Sequence, residues 1–241
     1  MPSYNISKTL GQPLRGRQGQ ISERGAAVMR MFGLTTDRLT EAGCTVNCKL
    51  EINEGDIVYI TGPSGAGKSV LLRELEKAIP DSERVNLNKI ELAEGKSVID
   101  CIDGDFVEGL RALSIAGLND AFCVLNKPVN LSDGQKCRFR LAVALASGAK
   151  FIFADEYCSE LNQITAAVIS YNIHKYAKRT GVTVILASSH DDILLDLAPD
   201  VLVVKELSGA TRVVYKNSEH RKQNNRAKSG YQGEGWRGDC S

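Results

Sequence analysis

The residues whose spacing most directly indicates chemistry are 62–69, GPSGAGKS. They fit the pattern G-x-x-x-x-G-K-[ST], a turn whose glycines let consecutive backbone N–H groups point towards one set of phosphate oxygens. Lys68 is placed to reach the β- and γ-phosphates of a nucleotide, and the Ser69 hydroxyl is placed to bind Mg²⁺. We therefore predict a nucleotide phosphate site here. Its residues are Gly62, Pro63, Ser64, Gly65, Ala66, Gly67, Lys68, Ser69 and Val70.

The segments before and after this stretch are predicted to be a strand and a helix, which is the structural setting of a phosphate-binding loop. Residues 56–61 are rich in β-branched and aromatic side chains, which predicts a buried strand. Apolar residues then recur at helical spacing from Val70 to Ile79, and Pro80 ends the pattern. The positive end of that helix adds to the attraction for phosphate. A glycine turn with a chance Lys-Ser pair is the alternative, and the strand–loop–helix order argues against it.

Polar side chains also follow two later strands. Residues 151–154, FIFA, predict a short apolar strand that ends at Asp155 and Glu156. Residues 182–187 predict another buried strand, which is followed closely by His190. Because α/β sites lie at the carboxyl ends of parallel strands, we expect the two acids to approach the phosphate loop.

A third pattern, LSDGQ at residues 131–135, precedes the alanine-rich run 141–146. The run predicts a helix, and Ser132 is placed to cap its first turn. Gly148 is expected to end that helix.

With the phosphate loop, LSDGQ and FIFADE in this order, the chain resembles the ABC ATPases over roughly residues 45–206. LSDGQ is similar to the LSGGQ signature of that family. More narrowly, MFGL, SVID, AGLNDAF and LAPDV resemble a soluble ABC-type group that is sometimes fused to a predicted acetyltransferase domain.

The resemblance implies roles for the acids and the histidine. Asp155 would hold Mg²⁺ together with Ser69, since hard oxygen ligands suit that ion. Glu156 would act as the general base that polarises the attacking water. His190 would contact the γ-phosphate and Glu156. The alternatives are two solvated acids at a strand end and an ordinary surface histidine.

The resemblance also implies that two copies cooperate. The helix end that carries Ser132, Asp133, Gly134 and Gln135 would face the γ-phosphate held by the other copy. ATP would then be sandwiched in a nucleotide-dependent homodimer, and hydrolysis would loosen it. A plain capped helix start is the alternative.

Three departures from the family pattern are visible. No glutamine lies between Thr61 and Gly134, so the glutamine that ligates Mg²⁺ and touches the membrane partner in transporters is missing. Asn162 stands where the family has aspartate, which puts coupling between the two sites in doubt. The segment between the phosphate loop and LSDGQ is also short for a transporter's helical subdomain.

Composition is that of an ordinary globular chain: 241 residues, 43% hydrophobic, 24% charged and a net charge of +1. This charge gives no long-range attraction to nucleic acid or anionic lipid. No apolar run approaches the ~20 residues that cross a bilayer, and the N-terminus lacks the apolar region of a secretory signal. We therefore expect a cytoplasmic protein. Cys44 and Cys48 are spaced like half of a metal site, but no second pair follows, which favours incidental thiols.

The predicted organisation has three parts. Residues 1–26 are expected to be a flexible segment, residues 27–216 an ABC-type ATPase domain, and residues 217–241 a disordered polar tail. The domain is predicted to be an α/β fold of the P-loop NTPase type. Its mostly parallel sheet is flanked by helices, with an antiparallel β portion and a reduced helical subdomain. Residues 97–102 are a candidate strand, and residues 201–215 a candidate hairpin.

Three functions are compatible with these motifs. The first is a soluble ATPase whose dimer cycle acts on a protein or nucleic-acid partner, with ATP and Mg²⁺ as cofactors. The second is the nucleotide-binding subunit of a membrane transporter, which the missing glutamine disfavours. The third is a phosphate-loop kinase or a module that binds nucleotide without hydrolysing it. A kinase needs an acceptor site and a lid, neither of which the sequence indicates, and it would not need LSDGQ.

Overall fold

A computed structural model describes residues 3–9, 23–31, 45–207 and 209–216. Its strands are β1 (Ser3–Thr9), β2 (Thr45–Glu51), β3 (Ile57–Thr61), β4 (Arg84–Asn86), β5 (Phe151–Ala154), β6 (Thr183–Ala187), β7 (Val201–Lys205) and β8 (Thr211–Tyr215). Its α-helices are α1 (Glu23–Met31), α2 (Lys68–Lys77), α3 (Phe106–Ile115), α4 (Ala121–Leu125), α5 (Asp133–Ala146), α6 (Gln163–Thr180) and α7 (Leu194–Leu197). Short 3₁₀ helices cover Asp81–Glu83, Leu87–Lys89, Ile99–Cys101 and Pro128–Asn130.

The main sheet has six strands in the order β4-β5-β6-β3-β7-β8. All neighbours run parallel except β7 and β8, which form the predicted hairpin. A separate antiparallel pair joins β1 to β2. This confirms the predicted α/β architecture, in which a mostly parallel sheet with an antiparallel portion is flanked by helices.

Strand β3 contributes side chains to the hydrophobic cores on both faces of the sheet. All its residues are buried, so alternate side chains enter two different cores. Ile57 and Tyr59 pack with residues of α3, α5 and α6, whereas Val58 and Ile60 pack with residues of α2 and β2. The carboxyl end of β3 is thereby fixed between two cores, and it is the end that leads into the phosphate loop.

The helical part between α2 and α5 contains two α-helices, α3 and α4, and its predicted reduction relative to a transporter's subdomain stays a prediction. Its longest helix, α3, has 10 residues and contacts α5 and α6. The candidate strand at residues 97–102 is wrong, because this stretch contains the 3₁₀ helix Ile99–Cys101. Val98 is fully buried there and is not paired with a strand. The apolar residues of this stretch therefore reflect burial in the core and not membership of a sheet.

The N-terminal segment departs from the prediction of flexibility. Ser3–Thr9 forms β1 and pairs along its whole length with β2. Ile6 is buried in the same core as residues of α2. The contacts that stabilise β1 come from segments distant in the sequence, so the polar composition of residues 1–26 alone could not predict this strand. The rest of that segment up to residue 22, and the predicted tail at residues 217–241, lie outside the described residues.

Candidate functional site

The phosphate loop connects the end of β3 to the start of α2. Gly62 has φ 142°, and a Cβ placed there would lie 2.2 Å from the carbonyl oxygen of Lys205. Gly67 precedes the first residue of α2 with φ 87°. These backbone conformations strongly favour glycine, so the glycines shape the loop as the motif predicts.

Substitution of Gly62 by alanine should therefore destabilise the fold. The new Cβ would meet a backbone atom that cannot rotate away, at a left-handed φ that itself costs about 1–3 kcal/mol. Gly148→Ala is the matched control, because Gly148 also has a positive φ of 69° but no atom lies within 4 Å of its added Cβ. Urea unfolding should show a larger loss for Gly62→Ala, and equal losses would refute the steric argument.

Lys68 and Ser69 make contacts with different parts of the site. Lys68 Nζ donates to the carbonyl oxygens of Gly62 at 2.7 Å and Pro63 at 3.1 Å, so the ammonium group lies back over the loop. Ser69 Oγ donates to Asp155 Oδ1 at 3.0 Å. The predicted approach of the loop and the acid is therefore present in the structure.

The loop and the strand-end acids border one cavity of about 490 Å³. Its lining residues are Ser64, Gly65, Gly67, Lys68, Ser69, Val70, Asp155, Glu156, Ser159, Ser188 and Ser189. Lys68 and the helix N-terminus supply positive charge, and the two acids supply negative charge. Such a cavity can hold a polyphosphate together with a cation.

Asp155 and Glu156 are delivered by β5, which has three buried residues before them. Asp155 Oδ1 accepts both from Ser69 Oγ and from the backbone N–H of Glu156, at 3.0 and 3.1 Å. Glu156 has a φ of 52°, which is uncommon for a residue with a side chain, and its carboxylate is exposed.

The donor set fits Mg²⁺. Ser69 and Asp155 supply the hard oxygen atoms that this ion prefers. Among the described residues no group of three or more His, Cys, Asp or Glu side chains could hold a metal ion alone. Phosphate and water oxygens would therefore supply the remaining ligands, as is usual for Mg²⁺.

His190 is placed near the site by its backbone rather than its ring. The Tyr59 hydroxyl donates to the His190 carbonyl oxygen, and the His190 N–H donates to Ser188 Oγ at 3.2 Å. Burial raises the pKa of the Tyr59 phenol, which keeps it a hydrogen-bond donor. The imidazole is exposed and is not among the residues that line the cavity. Its contact with phosphate therefore stays a prediction.

The LSDGQ residues form a closed helix cap. Ser132 Oγ accepts from the Gln135 N–H at 3.4 Å, and Gln135 Oε1 accepts from the Ser132 N–H at 2.9 Å. Gln135 Nε2 also contacts Cys123 Sγ at 2.8 Å. A Cβ on Gly134 would lie 3.0 Å from the Glu160 carbonyl oxygen, so the close approach of that backbone favours glycine.

None of the four LSDGQ residues Ser132, Asp133, Gly134 and Gln135 lines the phosphate-loop cavity of its own chain. Ser132 is exposed, and the Asp133 side chain is 78% exposed. Asp133 instead borders a neighbouring cavity of about 410 Å³ that also reaches Asp155 and Glu156. Ser132 and Asp133 at the start of this helix are therefore exposed on the surface.

Sequence reasoning missed Asn88, which makes two hydrogen bonds to the backbone of Asp155. The signal was weak because β4, the strand just before it, has only three residues. The cysteines show no site in the described part of the chain. Cys48 is buried in β2, and burial raises its thiol pKa to about 11. Cys44 lies outside the described residues.

Comparison with known proteins supports the broad resemblance. Residues 46–103 match the family model described as ABC transporter. The chain is 27% identical over 205 residues to the methionine import ATP-binding protein MetN of Streptococcus agalactiae serotype III, covering 68% of the chain and 57% of MetN. It is 28% identical over 217 residues to the lipoprotein-releasing system ATP-binding protein LolD of Ehrlichia ruminantium, covering 74% of the chain and 92% of LolD.

Solved structures show the same fold. The dimeric bacterial ABC transporter cassette MJ0796 superposes with a TM-score of 0.59 at 20% identity, covering 72% of this chain and 91% of that one. A post-hydrolysis state of MJ0796 bound to ADP and Pi gives a TM-score of 0.60 with the same coverage.

These relatives support the ATP-binding cassette resemblance but not the narrower one to a group fused to an acetyltransferase. The chain spans little more than half the length of MetN. In the part of the chain that the structure describes, no helix is long and apolar enough to cross a membrane. The described part of the chain therefore has the P-loop fold of the ABC ATP-binding cassettes, and its phosphate-loop motif and strand-end acids border one cavity.

Proposed function

We propose that this chain is an ATPase that binds Mg·ATP in the phosphate-loop cavity and hydrolyses it to ADP and phosphate. The observation that carries the proposal is the 3.0 Å contact between Ser69 Oγ and Asp155 Oδ1. It brings the loop that suits phosphate to the acids that suit a cation and a water. One of the related solved cassettes is bound to ADP and Pi, which supports the same chemistry here.

The side chains divide the work of hydrolysis. Lys68 would leave the Gly62 and Pro63 carbonyls and pair with the β- and γ-phosphates. Ser69 and Asp155 would hold Mg²⁺, which neutralises phosphate charge when it is bound. Glu156 would accept a proton from the water as its oxygen attacks the γ-phosphorus. The bond to the bridging oxygen breaks, so ADP leaves with that oxygen. His190 would contact the phosphate that is released.

The dimer model completes this site from a second copy. Ser132 and Asp133 are exposed and stand at the N-terminus of a 14-residue helix whose N–H groups can face an anion. They do not line the cavity of their own chain, so a second copy is the natural source of this contact. The related cassette MJ0796 is described as dimeric, which supports the same arrangement.

A membrane transport protein is the partner that the relatives favour. MetN and LolD are named for methionine import and lipoprotein release, and both are ATP-binding proteins of those systems. We therefore place this chain as the nucleotide-binding subunit of such a system, on the cytoplasmic side where ATP is available. The soluble protein or nucleic-acid partner predicted first has no support from these relatives.

Two of the three sequence departures, Asn162 and the missing glutamine, mark where coupling to the partner would differ. Asn162 does not contribute a carboxylate, and its side chain instead accepts from the Thr165 N–H at 2.9 Å and caps α6. Between β3 and the LSDGQ helix no glutamine is present. We expect the transport partner to contact a surface built from other side chains.

Fractionation tests this placement. Full-length Glu156→Gln, expressed in its native cell with a small tag, should sediment with membranes and be recovered in detergent with an integral membrane protein. Lys68→Ala serves as the variant that cannot hold nucleotide. Recovery of Glu156→Gln in the soluble fraction with a soluble protein or nucleic acid would overturn the transporter placement and restore the first prediction.

A further inference from the structure

We propose that Asn88 is a positioning residue that keeps the Asp155 carboxylate directed at Ser69. The inference rests on the proposed function, because it concerns the acid that would hold Mg²⁺. Asn88 acts through the backbone of Asp155 and does not need to touch nucleotide.

The contact is a double hydrogen bond to one residue. Asn88 Oδ1 accepts from the Asp155 N–H at 2.8 Å, and Asn88 Nδ2 donates to the Asp155 carbonyl oxygen at 3.2 Å. A single carboxamide therefore pairs with both backbone polar groups of Asp155. Strand pairing alone does not reach this far, because the parallel ladder between β4 and β5 has its last pair at Asn86 and Phe153.

The loop that carries Asn88 is tied to the phosphate-loop helix. Glu76 of α2 is 4% exposed, and its carboxylate accepts from Asn86 Nδ2 at 3.0 Å and from Lys89 Nζ at 2.6 Å. Asn86 Oδ1 in turn accepts from the Asn88 N–H at 3.0 Å. A buried carboxylate with two donors fixes its partners more firmly than an exposed pair would.

Helix α2 consequently meets Asp155 along two routes. At its first turn Ser69 Oγ contacts the Asp155 carboxylate. About two turns later, Glu76 holds the loop whose Asn88 pairs with the Asp155 backbone. Side chain and main chain of Asp155 are thus set by the same helix that carries the phosphate loop. This arrangement fixes the spacing of the two oxygen donors for the cation.

Loss of Asn88 should affect the metal step and leave the phosphate loop intact. Residues that orient metal ligands typically change metal affinity by ~10–100-fold when they are substituted. We therefore expect Asn88→Ala to require a ~10-fold higher Mg²⁺ concentration than the wild type to reach half of the Mg²⁺-dependent increase in ATP affinity. Its affinity for ATP in EDTA should be unchanged, because Lys68 and the loop N–H groups are untouched.

Two variants and a control separate positioning from general damage. Asn88→Ala removes both hydrogen bonds, whereas Asn88→Asp keeps the acceptor for the Asp155 N–H and loses the donor. Asn172→Ala is the control, because Asn172 Nδ2 also donates to a backbone carbonyl, that of Ile115, but lines neither cavity of the site.

Hydrogen exchange gives a readout that does not depend on activity. In the nucleotide-free full chain, the Asp155 amide should exchange faster in Asn88→Ala than in the wild type, with Asn88→Asp closer to the wild type. Mg²⁺ titrations with a fluorescent ATP analogue should give a higher Mg²⁺ midpoint for Asn88→Ala than for the wild type, and an unchanged midpoint for the control Asn172→Ala. Unchanged Asp155 exchange and an unchanged midpoint would overturn the role of Asn88. If the wild type itself shows no Mg²⁺-dependent nucleotide binding, the proposed function fails instead.

Discussion

Glu156→Gln is expected to bind ATP normally and to lose turnover by ~10²–10⁴-fold, the usual contribution of a positioned general base. The amide keeps the size of the carboxylate but cannot accept the proton of the attacking water. Because the Glu156 carboxylate is exposed at the cavity and the backbone N–H makes the contact with Asp155, the substitution should leave the loop geometry unchanged. Phosphate release measured at saturating Mg·ATP checks this.

The same variant should accumulate as a dimer, since hydrolysis can no longer loosen the sandwich. Light scattering with Mg·ATP should show twice the monomer mass, and EDTA should return it to the monomer. Glu160→Gln is the matched control: Glu160 is also exposed, borders the neighbouring cavity and lies just four residues away. Turnover of Glu156→Gln within a factor of about two of the wild type would rule out Glu156 as the base.

Lys68→Ala is expected to lose ATP binding. The Lys68 ammonium group donates to the Gly62 and Pro63 carbonyl oxygens at the loop, and phosphate oxygens can replace these acceptors. Hydrogen bonds to charged groups contribute about 1.5–3 kcal/mol each, so two such bonds correspond to ~10²-fold or more in affinity. Titration calorimetry with ATP measures the loss directly.

Lys77→Ala is the control for Lys68→Ala. Lys77 lies at the other end of the same helix, where its side chain is 63% exposed and pairs with Glu74 at 2.9 Å. Its loss should leave ATP affinity unchanged, because surface ion pairs contribute about 1 kcal/mol or less and lie far from the loop. Retained ATP affinity in Lys68→Ala would mean that the phosphate loop is not the nucleotide site.

Local signals predicted the parts of the site that local chemistry determines. The glycine spacing before Lys68 fixes a loop whose backbone conformations favour glycine, as Gly62 and Gly67 show. Ser132 and Gln135 stand three residues apart, and that spacing alone produces the reciprocal helix cap. The hairpin of β7 and β8 followed from two β-rich runs around Gly209, which has a φ of 86°.

Contacts between segments that are distant in the sequence could not be predicted from local sequence patterns. Strand β1 is polar at alternate positions and is stabilised by β2, which begins at residue 45. Strand β4 is too short to give a periodic pattern, yet its pairing with β5 brings Asn88 to Asp155 across 67 positions of the sequence.

A second copy of the chain is expected to complete the ATP site, and a crystal structure of Glu156→Gln grown with Mg·ATP would show whether it does. We expect two chains, with Lys68 and Ser69 of one copy and Ser132 and Gly134 of the other within hydrogen-bond distance of the same nucleotide. ATP bound in the loop of a lone chain, with the LSDGQ helix end of every copy far from any phosphate, would contradict it.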